Sequence, residues 1–271
     1  MPFWRKRMQL PDSFVFTQQN LQDYKDCAYR FYLKNILNID WPAVESEPIR
    51  EQEALMLLGT RFHLLCQQYF SGIPANVLSA QITQPELIEW WQNFLQLDLH
   101  PAPGSYSVEK LNFIPFAGYR LAAKIDLLLK VENKLFIYDW KTSQHQPKRQ
   151  TLLSRMQSKV YPLVISNLAT NQNLSPESID MVYWYPAFSQ SPVRFAYSST
   201  QKKADQIELE LLVEEISSKG KEAFRKTDNL KACSFCRFRS LCDRGKEAGI
   251  SEMSDEPDDS DDAFNFDFDA I

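Results

Sequence analysis

Three charged residues stand inside a stretch that otherwise reads as a hydrophobic hairpin: Asp126, Asp139 and Lys141 in LAAKIDLLLKVENKLFIYDWKTS, residues 121–143. Side chains alternate along a strand, so Leu135, Ile137, Asp139 and Lys141 share one face, and Phe136, Tyr138, Trp140 and Thr142 the other. A two-residue turn at Glu132 and Asn133 pairs Val131 with Lys134 and sets Asp126 directly opposite Asp139, with Cβ atoms about 4.5 to 5.5 Å apart. Two carboxylates that close repel, and one tends to keep a proton. A hard divalent cation, Mg²⁺ or Mn²⁺, removes that penalty, activates water and neutralises charge developing on a phosphate. Lys141, about 6.6 Å along the strand from Asp139, is then placed to orient the attacking water or stabilise the transition state. A solvated strand edge is the plain alternative for the same three residues.

The elements around the hairpin must position these groups. Apolar spacing predicts an amphipathic helix over 17–37 and a second over 53–70, followed by a proline-bounded helical insertion over about 71–103. Strands follow at 106–115, 119–131 and 134–142, then a helix over 148–168, two further strands in IDMVYWYPAF and VRFAYSS, and a helix over 200–225. This order predicts an α/β fold with a mixed central sheet flanked by helices. His63, four residues after Gly59 in GTRFH, is positioned to be a third metal ligand through one ring nitrogen, or is a satisfied histidine on a helix. Gln157 and Tyr161, at i and i+4 in MQSKVY, share a helix face; they can hold Lys141 or a phosphate, or form an ordinary semi-buried surface.

Four of the five cysteines make a pattern. Cys233, Cys236 and Cys242 form a C-x2-C-x5-C run, and Cys27 stands alone near the N-terminus. Three close thiolates and a remote one can complete the four corners of an iron-sulfur cluster. Zn²⁺ is the alternative, although it more often takes two C-x2-4-C pairs. A disulfide scaffold does not suit a cytoplasmic chain of this size, and Cys66, on the helix of His63, reads as a buried small hydrophobe.

Taken together, these residues resemble the PD-(D/E)XK nuclease superfamily, in which an acid on one strand precedes a (D/E)-x-K triplet on the next: here Asp126 and Asp139-Trp140-Lys141. GTRFH and MQSKVY resemble the G-x-x-x-H and Q-x-x-x-Y motifs of its RecB-like branch. The cysteine set is similar to that of four-cysteine members such as the AddB nuclease domain and the CRISPR-associated single-strand exonucleases. The resemblance implies a restriction-endonuclease-like core and a metal-dependent DNA nuclease, an exonuclease on single-stranded ends, hydrolysing phosphodiester bonds in repair, recombination or CRISPR-type processing. It implies Mg²⁺ or Mn²⁺ on Asp126, Asp139 and His63, with Lys141, Gln157 and Tyr161 as catalytic partners. It also implies a 4Fe-4S cluster on Cys27, Cys233, Cys236 and Cys242 that ties the two ends of the chain together. Two departures are visible: Ala123 where many relatives have glycine, and Ala28 where proline usually follows the first cysteine. The competing classes are a non-catalytic nucleic-acid-binding or scaffold subunit of a helicase-nuclease complex, and a zinc-dependent interaction module.

Composition sets the outer bounds. At 271 residues and 44% hydrophobic, the chain has enough apolar mass for one large domain, expected at residues 1–250 with the cluster segment at 227–245. Residues 251–271 hold nine Asp or Glu and no Lys or Arg, which reads as an acidic disordered tail. The remaining 26 acidic residues face 30 Lys and Arg, leaving a body of net charge +4. Lys148, Arg149, Arg155 and Lys159 near the hairpin are candidates for phosphate contacts with DNA. Phe235, Arg237, Phe238 and Arg239 are candidates for stacking on unpaired bases. The tail is expected to solvate the chain, to dock a protein partner, or to cover a basic channel as a DNA mimic. No run of about 18 apolar residues is present to span a membrane, and MPFWRKRMQL lacks the apolar core of a signal peptide, so a cytoplasmic location is expected.

Overall fold

The computed structural model describes residues 10–40, 47–99, 101–170 and 173–245; the acidic tail lies outside the described residues. β1 (Val15–Thr17) runs into α1 (Gln18–Asp26) through a reciprocal cap, in which Thr17 Oγ1 accepts from Asn20 N and Asn20 Oδ1 accepts from Thr17 N. The helix expected over 17–37 is interrupted at Cys27, whose backbone is extended (φ −159°, ψ 104°). Cys27 Sγ accepts from Arg30 N at 3.4 Å and so starts α2 (Ala28–Phe31), which continues into a π-helical turn at Tyr32–Ile36. Next come α3 (Glu47–Phe70) and the helical insertion, α4 (Ala75–Ser79) and α5 (Pro85–Leu95), the latter opened by a proline whose missing N–H costs nothing there.

β2 (Tyr106–Phe116), β3 (Tyr119–Val131) and β4 (Lys134–Trp140) form a meander with two-residue turns. Ala117 and Gly118 both take positive φ (47° and 82°), the handedness that matches strand twist in a tight hairpin. The helix expected over 148–168 is two helices, α6 (Arg149–Ser154) and α7 (Met156–Ala169), separated where Arg155 is extended (φ −68°, ψ 145°). The new N-terminus is capped from α1, because Gln22 Oε1 accepts from Met156 N at 3.1 Å. β5 (Ile179–Trp184) and β6 (Val193–Ala196) precede α8 (Ser199–Ser218), which stops short of the expected 225.

The six strands make one mixed sheet in the order β1-β3-β4-β5-β6, with β2 on the other edge of β3. Each face carries its own core. Leu135 and Ile137 pack with α1, α7 and α8 residues such as Leu21, Val160, Val164 and Leu209. Trp140 and Trp184 pack with Phe62, Trp90, Trp91 and Phe94 of α3 and α5, and Phe136 and Tyr138 lie against that second core. The alternation expected for β4 is therefore observed, with helices covering both faces.

Candidate active site

The site sits where β3 and β4 part. Their ladder runs from Val131↔Lys134 to Leu127↔Tyr138 and stops one step before Asp126 and Asp139 would pair, while β4 continues against β5 to Trp140↔Trp184. The register is the one the turn length predicts, but the two acids are not an ordinary ladder pair. Asp126 Oδ2 instead accepts from Trp140 N at 2.8 Å, so the carboxylate bridges the opening in place of a backbone carbonyl.

β2 and β3 are distorted at the same level. Leu121, Ala123 and Ile125 belong to the first core, whereas Leu127 and Leu129 belong to the second; Ile114 and Phe116 likewise face the first and Tyr106 and Val108 the second. Both strands thus change faces at Asp126 and at Glu109, its partner by register between Val108↔Leu127 and Lys110↔Ile125. Glu109 has φ 50°, a left-handed value that a side chain rarely adopts. Lys124 Nζ lies 2.6 Å from its Oε2.

α3 supplies the third wall. Gly59 faces Thr142, and a Cβ added there would stand 2.6 Å from Thr142 Oγ1, so the glycine lets the helix approach the residue that follows Lys141. One helical turn later His63 Nδ1 lies 3.6 Å from Asp126 Oδ2 and 3.8 Å from Glu109 Oε1. Ligand atoms of His63, Glu109 and Asp126 all fall within 4.8 Å of one another. Burial alone would lower the His63 pKa, but the charges of Asp126 and Glu109 outweigh it and hold the imidazole well above its ordinary value. Burial works to raise Glu109, and His63 and Lys124 bring its carboxyl below the usual range.

On the β4 side, Asp139 is buried and held between two residues: Gln157 Nε2 donates to Oδ1 at 2.5 Å, and Lys141 Nζ lies 3.0 Å from Oδ2. Tyr161, one turn along α7 from Gln157, accepts from Gln18 Nε2 at 3.1 Å. Sequence reasoning missed Glu109. A signal was present, since the Ala117–Gly118 turn sets Phe116 against Tyr119 and carries Glu109 opposite Asp126.

The four basic candidates disperse. Arg155, at the break before α7, is near enough for its charge to act on Tyr185, and Lys148 is exposed at the start of α6. Arg149 turns away to the Phe195 ring (4.3 Å) and donates to the Arg194 carbonyl. Lys159 pairs with Glu208 of α8. Three of the proposed stacking residues are also otherwise engaged: Phe238 is buried, Arg239 is buried with bonds to the Ser234 and Gly245 carbonyls, and Arg237 pairs with Asp40 at 2.9 Å.

None of the five cysteines is in a disulfide, and Cys27 follows the C-terminal end of α1. Burial raises the thiol pKa values of Cys233, Cys236 and Cys242; Cys27 lies close enough to act on Cys233 and Cys242, and Arg30, Arg239, Arg244 and Lys226 lie around them. Cys66 is buried in the second core, as its helix position implies.

The family model of the PD-(D/E)XK nuclease superfamily matches residues 15–243. The chain belongs to that superfamily, whose divalent-metal chemistry suits the acidic opening between β3 and β4. Among solved structures it is similar to a protein named "Putative exonuclease" from Eubacterium rectale, at 12% identity over 88% of this chain and 91% of that one, with a TM-score of 0.52. It also aligns with a chain named SSO0001, at 12% identity over 87% of each chain, with a TM-score of 0.39. No curated protein matches. These likenesses concern the fold; no helix among the described residues is long and apolar enough to cross a membrane.

Proposed function

We propose that this chain is a divalent-metal-dependent deoxyribonuclease of the RecB-like branch, acting as an exonuclease on single-stranded ends. The observation that supports it most is the convergence of His63, Glu109 and Asp126 within 4.8 Å, beside the Asp139–Lys141 pair. One imidazole and two carboxylates suit Mg²⁺ or Mn²⁺. Such an ion would supply a Lewis acid and a nucleophile drawn from water. Asp139, aimed by Gln157, completes the acidic set. Lys141 neutralises charge on the phosphate, and Tyr161 holds α7 to α1 so that Gln157 stays in place. Exposed Lys148 and nearby Arg155 supply positive charge for the DNA backbone.

In the same reading, Cys27, Cys233, Cys236 and Cys242 hold a 4Fe-4S cluster. Support comes from the approach of Cys27 to the remote 233–242 segment, from the N–H of Arg30 directed at Cys27 Sγ, and from the cations around the thiols. Residues 1–250 are then one nuclease domain, and the 251–271 tail solvates it or docks a partner. A reducing, cytoplasmic location suits thiols that serve as cluster ligands rather than as disulfides.

The test is a cleavage assay on end-labelled linear and circular DNA, single- and double-stranded, with Mg²⁺ or Mn²⁺. Stepwise shortening of linear single strands that disappears in Asp139→Ala and Lys141→Ala is expected. Activity that survives either substitution places catalysis elsewhere. A wild type that binds DNA but cuts none is a non-catalytic subunit. Iron, zinc and visible absorption measured on the anaerobic preparation decide the cysteine site.

A further inference from the structure

Tyr185 follows β5 directly and is the lateral neighbour of Lys141. β4 and β5 are parallel with Asp139↔Tyr183 and Trp140↔Trp184 paired, and Lys141 N donates to the Trp184 carbonyl at 2.9 Å, which carries the register one step further to Lys141 and Tyr185. Residues paired in this way share a face, and Tyr183 and Tyr185 both lie in the core on the α7 side. The two tyrosines differ in one respect. The Tyr183 hydroxyl meets Ser158 Oγ at 2.7 Å, whereas the equally buried Tyr185 hydroxyl has no hydrogen-bond partner among the described residues. Its strongest charged neighbours are Lys141, Asp139 and Arg155.

A buried phenol without a partner is costly, and phenylalanine would fill the same volume without that cost. Lys141, whose ammonium is to meet the phosphate, is its neighbour across the strands and acts on the phenol with its charge. We infer that Tyr185 belongs to the phosphodiester subsite, its hydroxyl donating to a non-bridging oxygen of the scissile phosphate next to Lys141, with Arg155 adding positive charge. This inference rests on the nuclease reading. The burial that keeps the phenol neutral also keeps its proton available for donation.

The experiment compares Tyr185→Phe with wild type in single-turnover cleavage of single-stranded DNA with Mn²⁺, in DNA binding with Ca²⁺, and in thermal unfolding. The expected result is a rate lower by roughly ten- to a hundredfold, the loss of one hydrogen bond to a charged oxygen, with the melting temperature unchanged or raised. An unchanged rate overturns the inference. So does a rate that falls together with the melting temperature, which marks the hydroxyl as structural. If wild type itself cuts no DNA, the nuclease reading fails separately, and affinity decides the subsite. Weaker binding by Tyr185→Phe then supports it, and equal binding overturns it.

Discussion

Glu109 holds a backbone angle, φ 50°, that its side chain does not favour, and it does so next to Asp126 and His63. Left-handed backbone costs a residue with a Cβ about 1–2 kcal/mol. It persists only where the surroundings over-determine it, here a ladder paired on both sides and the 2.6 Å contact to Lys124. Two substitutions separate strain from ligation. Glu109→Ala and Glu109→Gly both remove the carboxylate, so calorimetric titration with Mn²⁺ is expected to show at least about tenfold weaker binding in each. Only glycine relieves the angle, so Glu109→Gly is expected to be the more stable of the two by about 1 kcal/mol in denaturant unfolding. Equal stabilities would show that the angle stores no strain. His63 gives a pH signature. Its folded pKa is raised, so the stability it contributes is fully present below about 6.5 and is lost as pH rises through the folded value. Without added metal, the melting temperature is expected to fall over that window in wild type and to stay flatter in His63→Gln. A metal ion must displace the same proton, so Mn²⁺ affinity rises across the window.

At the scale of elements, the distance between α3 and the end of β4 is set by Gly59. Alanine there gains about 1 kcal/mol of helix propensity, but its Cβ meets Thr142 Oγ1 at 2.6 Å. Overpacking of this kind costs about 1–3 kcal/mol, so Gly59→Ala is expected to be net destabilising by up to about 2 kcal/mol. Because the shift moves His63 relative to Asp126, it should also weaken Mn²⁺ binding. Thr142→Ala removes the 2.6 Å contact and leaves the Thr142 Cβ at an ordinary 3.6 Å. In the Thr142→Ala background the Gly59→Ala change should therefore become neutral or stabilising. A double-mutant cycle in urea measures this, and additive effects would exclude the proposed clash. The break at Arg155 has a similar logic: Gln22 caps the start of α7, and the first turn of α7 carries Gln157 to Asp139.

Across the whole molecule, the sheet is clamped between two cores, and the segment after α8 returns to pack on α2 and the π-helical turn. Phe224 stacks on Phe31 and Tyr32 at 6.1 and 5.2 Å, and Tyr29 N donates to the Arg225 carbonyl at 3.1 Å. Lys226 Nζ donates to the Cys242 carbonyl and Arg244 to the Thr227 carbonyl, which fold the cysteine segment back on itself. That segment has a single short 3-10 turn, Leu230–Cys233, and Phe238 is its one buried apolar residue, so few apolar contacts hold it. Cys27→Ser is expected to abolish iron binding and the visible band, and to expose the 227–245 segment to limited proteolysis before the sheet unfolds. Full iron content in Cys27→Ser would remove Cys27 from the ligand set.

Local rules made much of this legible without a structure. Two-residue turns and side-chain alternation determined the register that brings Asp126 toward Asp139, placed Leu135 and Ile137 opposite Phe136 and Tyr138, and set His63 and Gln157 on flanking helices. Those features depend on neighbours a few residues away, so the sequence by itself carried them. Remote contacts decided the rest. Gln22 and Arg155 end one helix and begin another, and Gly59 has a purpose only because Thr142 lies against it. Glu208 and Phe195 draw Lys159 and Arg149 away from the site. Glu109 joins His63 and Asp126 through a backbone angle that its residue type disfavours, and Tyr185 meets Lys141 only because β5 lies beside β4. Tertiary packing chose those partners, because burial lets charges and hydroxyls interact with whatever the fold places next to them, regardless of separation along the chain.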